Sequence, residues 1–404
     1  MALSLSLEPK RFAQWMFIWV GLWVMYNSMQ LYFTWFIPQS LTMVFSYVAI
    51  VNYVLFNKLI INRSRLFSIL LLLFVFIYEL VFVYPLSFLS IVHMFSRILF
   101  VIVLICTPLE LMKLFLRQII KVTAFLILIS LIFWVFYLIG IPLPHYSVET
   151  NNYYDHTVYY FFILNGSANQ ILPRFAGLFL EPGHLGSTAC MLLFLNGVDL
   201  RKWENKVFIV AVILSLSLAA YGLLIGCIAL YFIAKSKYGF IKLFPYVGIL
   251  ALLVLFFSQY NGGNNPVNEK ILMRLVIEDG EISGNNRTSM VFDNQYDRYV
   301  TSSDVLLGKG RSVIERSVGA SVLYGTASWK RYFFIRGYVG CAILLLFLFY
   351  YAMSYNSMYG WSFLIIYLVC NAIRDYPIDE LWLYLIIIAM PIFKYDFRIN
   401  SYLS

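Results

Sequence analysis

Charge is what this sequence has least of. Only 12% of its 404 residues are Asp, Glu, Lys or Arg, about half the roughly 25% usual for a soluble domain. Histidine is scarce, with His93, His145, His156 and His184 the only four. The five cysteines (Cys106, Cys190, Cys227, Cys341, Cys370) all fall in apolar runs, with no CxxC pair and no histidine close enough to suggest a metal site. Five buried thiols are expected, and neither a metal nor a cofactor. There is no internal repeat and no ATP-binding P-loop, which disfavours a single-chain ATP-driven pump. No exposed stretch mixes basic and aromatic residues as an RNA-binding surface would, so nucleic acid is not an expected partner.

What is abundant is hydrocarbon. Hydrophobic residues make up 62% of the chain, including 36 Phe, 31 Tyr and 9 Trp. At roughly 20 residues per span, that allows on the order of a dozen membrane helices. Apolar runs fall near 12–31, 35–56, 66–84, 88–107, 122–141, 175–197, 243–258, 333–353, 359–374 and 379–393. A further run, 207–234, is long for one span and short for two. Arg201, Lys202 and Lys206 precede it, and Lys235, Lys237 and Lys242 follow. Both flanks therefore belong on the cytoplasmic side, and the run is expected to be two short helices turning near Leu218 to Gly222. The expected architecture is all-α: a single polytopic membrane domain over 1–404, about twelve spans, both termini cytoplasmic. The N-terminus, MALSLSLEPKRF, shows no small-residue cleavage site and leads straight into the first span, which is expected to serve as the signal.

The net charge of +9 is then mostly a topology signal. Lys10, Arg11, Lys58, Arg63, Arg65, Lys113, Arg117, Lys121, Lys394 and Arg398 join the basic flanks of 207–234 on the inner side. The outer loop 142–172 has no Lys or Arg and is rich in Asn and Tyr. The large outer loop, 259–332, is near neutral and opens on the turn signal QYNGGNNP. Helical stretches are expected there over Val267–Ile277 and Arg287–Val300.

A charge inside a span costs about 2.5–3.5 kcal/mol on insertion scales, so each one that persists is a functional candidate. Glu79 sits late in the third span; His93 and Arg97 lie four apart in the fourth. Arg97 is placed to pair with Glu79 across the intervening turn, either as a structural ion pair or as part of a substrate site. The densest cluster is Arg174-Phe-Ala-Gly177-Leu-Phe-Leu-Glu181-Pro182-Gly183-His184. Read as one helix, it sets Arg174, Glu181 and His184 near a common face. Arg174 would hold an anionic head group, with Glu181 or His184 placed to take a proton. A second cluster in the large loop holds Arg287 and Arg298, then Gly308-Lys309-Gly310, whose exposed amides and cations would suit phosphate. Trp329 and Tyr332 read as an interfacial aromatic belt.

The order of these features resembles the O-antigen polymerase and ligase superfamily. An outer loop ends in R-x-x-G-x-F (Arg174, Gly177, Phe179) followed by Glu181-Pro182. A short hairpin carries L-S-x-S (Leu214, Ser215, Ser217). The large loop has S-G-x-x-R ending at Arg287 and L-x-G-x-G ending at Gly310, and the next span has G-x-x-G (Gly337, Gly340). The resemblance implies a glycosyltransferase at the outer face of the bacterial cytoplasmic (inner) membrane. Its substrates would be oligosaccharides on undecaprenyl diphosphate, within membrane lipid, and a chain-length regulator would be a possible partner. Carried onto this chain, the diphosphate falls to Arg174 and Arg287 first and Arg298 next. Ligases of the superfamily carry a His-Asn pair where this chain has Thr326, and Ser-Arg where it has Ser217-Leu218. Both departures move the expectation from ligase to polymerase. Ligation, and transport of lipid-linked oligosaccharide, stand as the alternatives.

Overall fold

The computed structural model describes residues 8–29, 31–84, 88–151, 154–165, 173–236, 289–320, 329–373 and 381–395, with isolated positions between 248 and 282. The architecture is helical: α1 (Pro9–Ser28), α2 (Gln39–Phe56), α3 (Arg63–Tyr78), α4 (Phe88–Ile105), α5 (Leu109–Leu138), α6 (Pro182–Leu195), α7 (Trp203–Leu214) and α8 (Leu218–Lys235) come first. After them come α9 (Met290–Val300), α10 (Arg311–Ala320), α11 (Trp329–Tyr355), α12 (Met358–Ile373) and α13 (Leu381–Tyr395). Most of 243–258 falls outside the described residues, as do Arg287, Thr326 and most of Val267–Ile277.

Among the described residues, five segments are long and apolar enough to cross a membrane: Gln39–Phe56, Arg63–Val83, Leu109–Leu138, Leu218–Lys235 and Trp329–Tyr355. Their outer faces are apolar too. Along α3, beyond its first residue Arg63, the exposed side chains are Leu66, Phe67, Leu70, Phe74 and Ile77, and those of α2 include Val44, Val48, Val51 and Leu55. An apolar stripe at helical spacing turned away from the core suits hydrocarbon and not water. The chain is a helical membrane protein.

Helix boundaries follow local chemistry. Asn62 caps α3, its side chain accepting the Arg65 N–H at 2.8 Å, which satisfies one otherwise orphaned amide. Pro9 and Pro182 each stand in the first turn of their helices, where the missing N–H costs nothing. The helix Leu109–Leu138 runs 30 residues, starting well before the expected 122, because no Gly or Pro interrupts it.

Two helices are buried all round. In α6 every residue except His184 is buried, and α13 is buried from Trp382 through Met390. They meet where Trp382 Nε1 donates to Thr188 Oγ1 at 3.3 Å. Helix α6 also packs on α7, α8 and α12. Its approach to α8 depends on Gly186, where an added Cβ would sit 2.3 Å from that of Ala220.

The run 207–234 is two helices, as its flanking charges require. The break lies at Ser215–Ser217, earlier than the expected Leu218 to Gly222. Leu216 adopts φ +45° there, and Ser215 Oγ turns back to the Val212 carbonyl at 2.7 Å, a side-chain bond that competes with continuation of the helix.

One departure from an all-α chain lies in 142–172. Tyr146–Asn151, Tyr154–Val158 and Ile163–Asn165 form an antiparallel three-stranded sheet, β1-β2-β3. A two-residue pairing, Ile277–Glu278 with Glu281–Ile282, lies in the large loop.

Candidate functional site

The segment 173–181 is not helical. Pro182 forces the change: its ring disfavours helical backbone at the residue before it, and Glu181 is extended at φ −139°, ψ 147°. Arg174, Glu181 and His184 therefore do not share a helical face, which corrects the expected geometry. Glu181 instead stands at the N-cap of α6 and His184 in its first turn. Arg174 lies in the irregular strand that precedes them.

That strand crosses the broken end of α7. Phe175 N donates to Leu214 O at 3.0 Å, Arg174 Nε to Ser215 O at 3.1 Å, and Tyr221 Oη to Ile213 O at 2.5 Å. A helix leaves its last carbonyls without internal partners, and here three in succession are met from outside. The strand is held on its other side as well. Ile163 N of the sheet donates to Gly177 O at 2.8 Å, and Tyr32 N donates to Leu178 O at 3.2 Å. Gly177 takes φ +56°, a left-handed conformation open to glycine at little cost.

A helix of 14 residues, such as α6, spans only about 21 Å, short of a hydrocarbon core of about 30 Å. Helix α7, with 12 residues, is shorter still. Their ends converge on strand 173–181, and irregular backbone of this kind needs protein around it to satisfy its polar groups, which the bonds to α7, the sheet and Tyr32 supply. Two helix N-termini, those of α6 and α8, lie at this junction, and both carry positive dipole ends. Between Phe175 and Leu195 only Leu180, Glu181 and His184 escape burial; Arg174 is half-buried beside them. The three chemistry-bearing side chains thus keep access while the backbone that places them is enclosed.

Above the strand lies an aromatic surface. Tyr159 and Phe162 stack with centroids 4.8 Å apart, Phe133 and Phe161 at 4.0 Å, and Tyr146 packs edge-on to Tyr160. The turn carrying Tyr160 holds it at φ +60°, rare for a bulky side chain, and leaves Tyr160 and Phe161 exposed.

A second centre lies between α3 and α11. After Tyr78 the helix widens into a π turn over Glu79–Val83, which turns Glu79 onto Arg336. Arg336 Nε and Oε1 of Glu79 are 2.5 Å apart, with a second contact from Nη2 to Oε2 at 3.3 Å. Both side chains are about 95% buried, and the Tyr332 ring covers the guanidinium at 4.1 Å. The expected pairing of Glu79 with Arg97 is therefore wrong: Arg97 stays on α4, half-buried and within electrostatic reach of His93. Arg336 was missed in the sequence, although an arginine inside an apolar run is the signal that should have marked it. Tyr332, read as an interfacial residue, is half-buried and lies over this pair.

The glycines of L-x-G-x-G build the same centre. Gly308 and Gly310 have φ +82° and +73°, and Gly337 φ +65°. Their backbones interlock: a Cβ on Gly308 would sit 2.3 Å from Ile335 O, and one on Gly337 would sit 2.4 Å from Leu306 O. The amides of Gly308, Lys309 and Gly310 donate to Asp304, Phe334 and Ile335 carbonyls. Those N–H groups are spent on protein, so the expected phosphate cradle at Gly308 and Gly310 is not what this loop forms. Lys309 itself pairs with Asp304 at 2.5 Å. Arg298 is exposed in the last turn of α9, while the neighbouring Tyr299 is buried, its Oη bonded to Phe333 O at 2.7 Å.

No family model, no curated protein and no solved structure matches this chain.

Proposed function

We propose that this chain is a polysaccharide polymerase of twelve spans with both termini inside, acting at the outer face of a bacterial cytoplasmic membrane on repeat units carried by undecaprenyl diphosphate. The observation that carries the reading is the placement of Arg174 among three helix ends, two of them positive. A diphosphate leaving group needs fixed positive charge in a poorly hydrated place, and a guanidinium beside two helix N-termini supplies it. The aromatic surface of 146–162 adds flat apolar faces of the kind on which sugar rings stack.

In the proposed step, a hydroxyl of the incoming repeat unit attacks the anomeric carbon of the growing chain. The bond from that carbon to the diphosphate oxygen breaks, and the electron pair leaves with the diphosphate. Glu181 or His184 takes the hydroxyl proton. Arg174 balances the charge that develops on the departing group, with Arg287 and Arg298 of the large outer loop as further cations for the lipid-linked partner. A single displacement inverts the anomeric centre. A chain-length regulator fits as a partner of the outer loop.

Broken helices also favour a second reading, transport of the same lipid-linked oligosaccharide, because half-helix ends at mid-depth are a carrier's way of holding an anion. Deleting the gene and resolving surface glycans on a gel separates the two. Loss of the ladder with one repeat unit remaining supports polymerisation, and loss of every band supports transport or ligation.

A further inference from the structure

At the opposite end of the bundle from strand 173–181, the ends of α1, α2 and α5 enclose an open cavity of about 500 Å³. Its polar wall is Lys10, Gln14, Asn57, Lys58 and Glu110. Its apolar wall is Phe56, Leu111 and Leu114. Glu110 is engaged by Lys113 at 3.2 Å, and among the described residues neither Lys10 nor Lys58 has a carboxylate partner. Asn57 is only 9% exposed. Its Oδ1 accepts from Gln14 at 2.8 Å, but its Nδ2 is buried with no partner. A buried donor left unmade costs about 1–3 kcal/mol, and Asn57 lines the same cavity as Lys10 and Lys58, so the wall offers an acceptor one unmade donor and two ammonium groups.

The geometry points to a binding site for the phosphate head group of an anionic phospholipid, with its acyl chain lying along α2. The phosphate oxygens meet Lys10, Lys58 and the Asn57 Nδ2. The apolar side is continuous with the exposed hydrocarbon face of α2, since Phe56, Leu55 and Val51 all face outward beyond Asn57. A free phosphate would use the first set of contacts and leave the second empty, and that second set favours lipid. By the positive-inside rule Lys10 and Lys58 belong at the inner leaflet, where basic pockets between helix ends hold anionic head groups. This site is distinct from the one around Arg174 and stands whether or not the polymerase reading does.

The test is native mass spectrometry of the purified full chain in mixed micelles of phosphatidylglycerol and phosphatidylethanolamine. One phosphatidylglycerol should be retained preferentially. Each lysine near an anionic surface is worth about fivefold, so Lys10→Ala with Lys58→Ala should weaken that retention by roughly 25-fold. Lys10→Arg with Lys58→Arg should keep it, which separates lost charge from lost folding. Asn57→Leu should weaken it with both charges in place. Equal retention of the two lipids, or no change in the double alanine variant, overturns the proposal. Displacement by millimolar inorganic phosphate overturns the lipid assignment, because a head group anchored by its acyl chain should resist it.

Discussion

Arg174 donates its Nε to the carbonyl of Ser215 at 3.1 Å, and so ties the strand before one helix to the broken end of another. The bond uses one of the five guanidinium donors and fixes where the charge sits. Because it also closes the end of α7, loss of Arg174 would remove a cap and a cation together. Any test of its chemistry has to report separately on the fold.

The Glu79–Arg336 pair should behave as a buried structural pair. Glu79→Gln or Arg336→Met alone leaves the partner uncompensated and should cost about 3–5 kcal/mol, whereas the double variant should recover much of that loss. Thermal unfolding in detergent, followed by fluorescence, gives the comparison. Additive losses in the double variant would mean that the two side chains do not depend on each other.

The glycines should divide sharply. Gly308→Ala and Gly337→Ala place a Cβ against backbone atoms at a positive φ, and both should sharply lower the yield of folded protein. Gly222 and Gly226 of α8 have nothing within 4 Å of a new Cβ. Alanine there should be neutral or stabilising, by up to about 1 kcal/mol. Size-exclusion profiles of the four variants, at matched expression, would show whether the pattern holds.

Cysteine labelling reads the topology. All five native cysteines are buried, so the background should be low. A membrane-impermeant maleimide applied to intact cells should label Ser303→Cys in the large loop and spare Asp199→Cys between α6 and α7. The reverse pattern would invert the orientation and move Arg174 to the wrong side for an extracytoplasmic reaction.

Asp199 gives a small acid limb to stability. Hydrogen bonds from the Arg201 side chain and N–H hold its carboxyl below the usual range. A folded value below the unfolded one stabilises the protein above the unfolded pKa, and that contribution fades as pH falls through the folded value. Melting temperature measured between about pH 6 and pH 3 should therefore drop slightly more for the parent than for Asp199→Asn. Parallel curves would remove the effect.

The sequence was most informative where charge flanks hydrocarbon. Basic residues on both sides of 207–234 were enough to divide it, because insertion cost leaves few alternatives. It was least informative about backbone direction within apolar runs. Nothing in hydropathy separates a helix starting at 175 from one starting at Pro182, and only the proline's effect on Glu181 does. Arg97 was the partner expected for Glu79 and Arg336 was overlooked, since the π turn that brings Glu79 to Arg336 leaves no mark in composition. The glycines of L-x-G-x-G look the same whether their amides face a phosphate or a carbonyl.

The most direct test of the central claim is the glycan ladder of a gene-deletion strain carrying Arg174→Ala, beside strains carrying the parent gene and Arg174→Lys. Membrane levels of each protein are to be measured in the same cells. The polymerase reading requires the parent to restore the ladder, Arg174→Lys to restore it in part, and Arg174→Ala to leave a single repeat unit at normal protein level. A full ladder from Arg174→Ala at that level would contradict it.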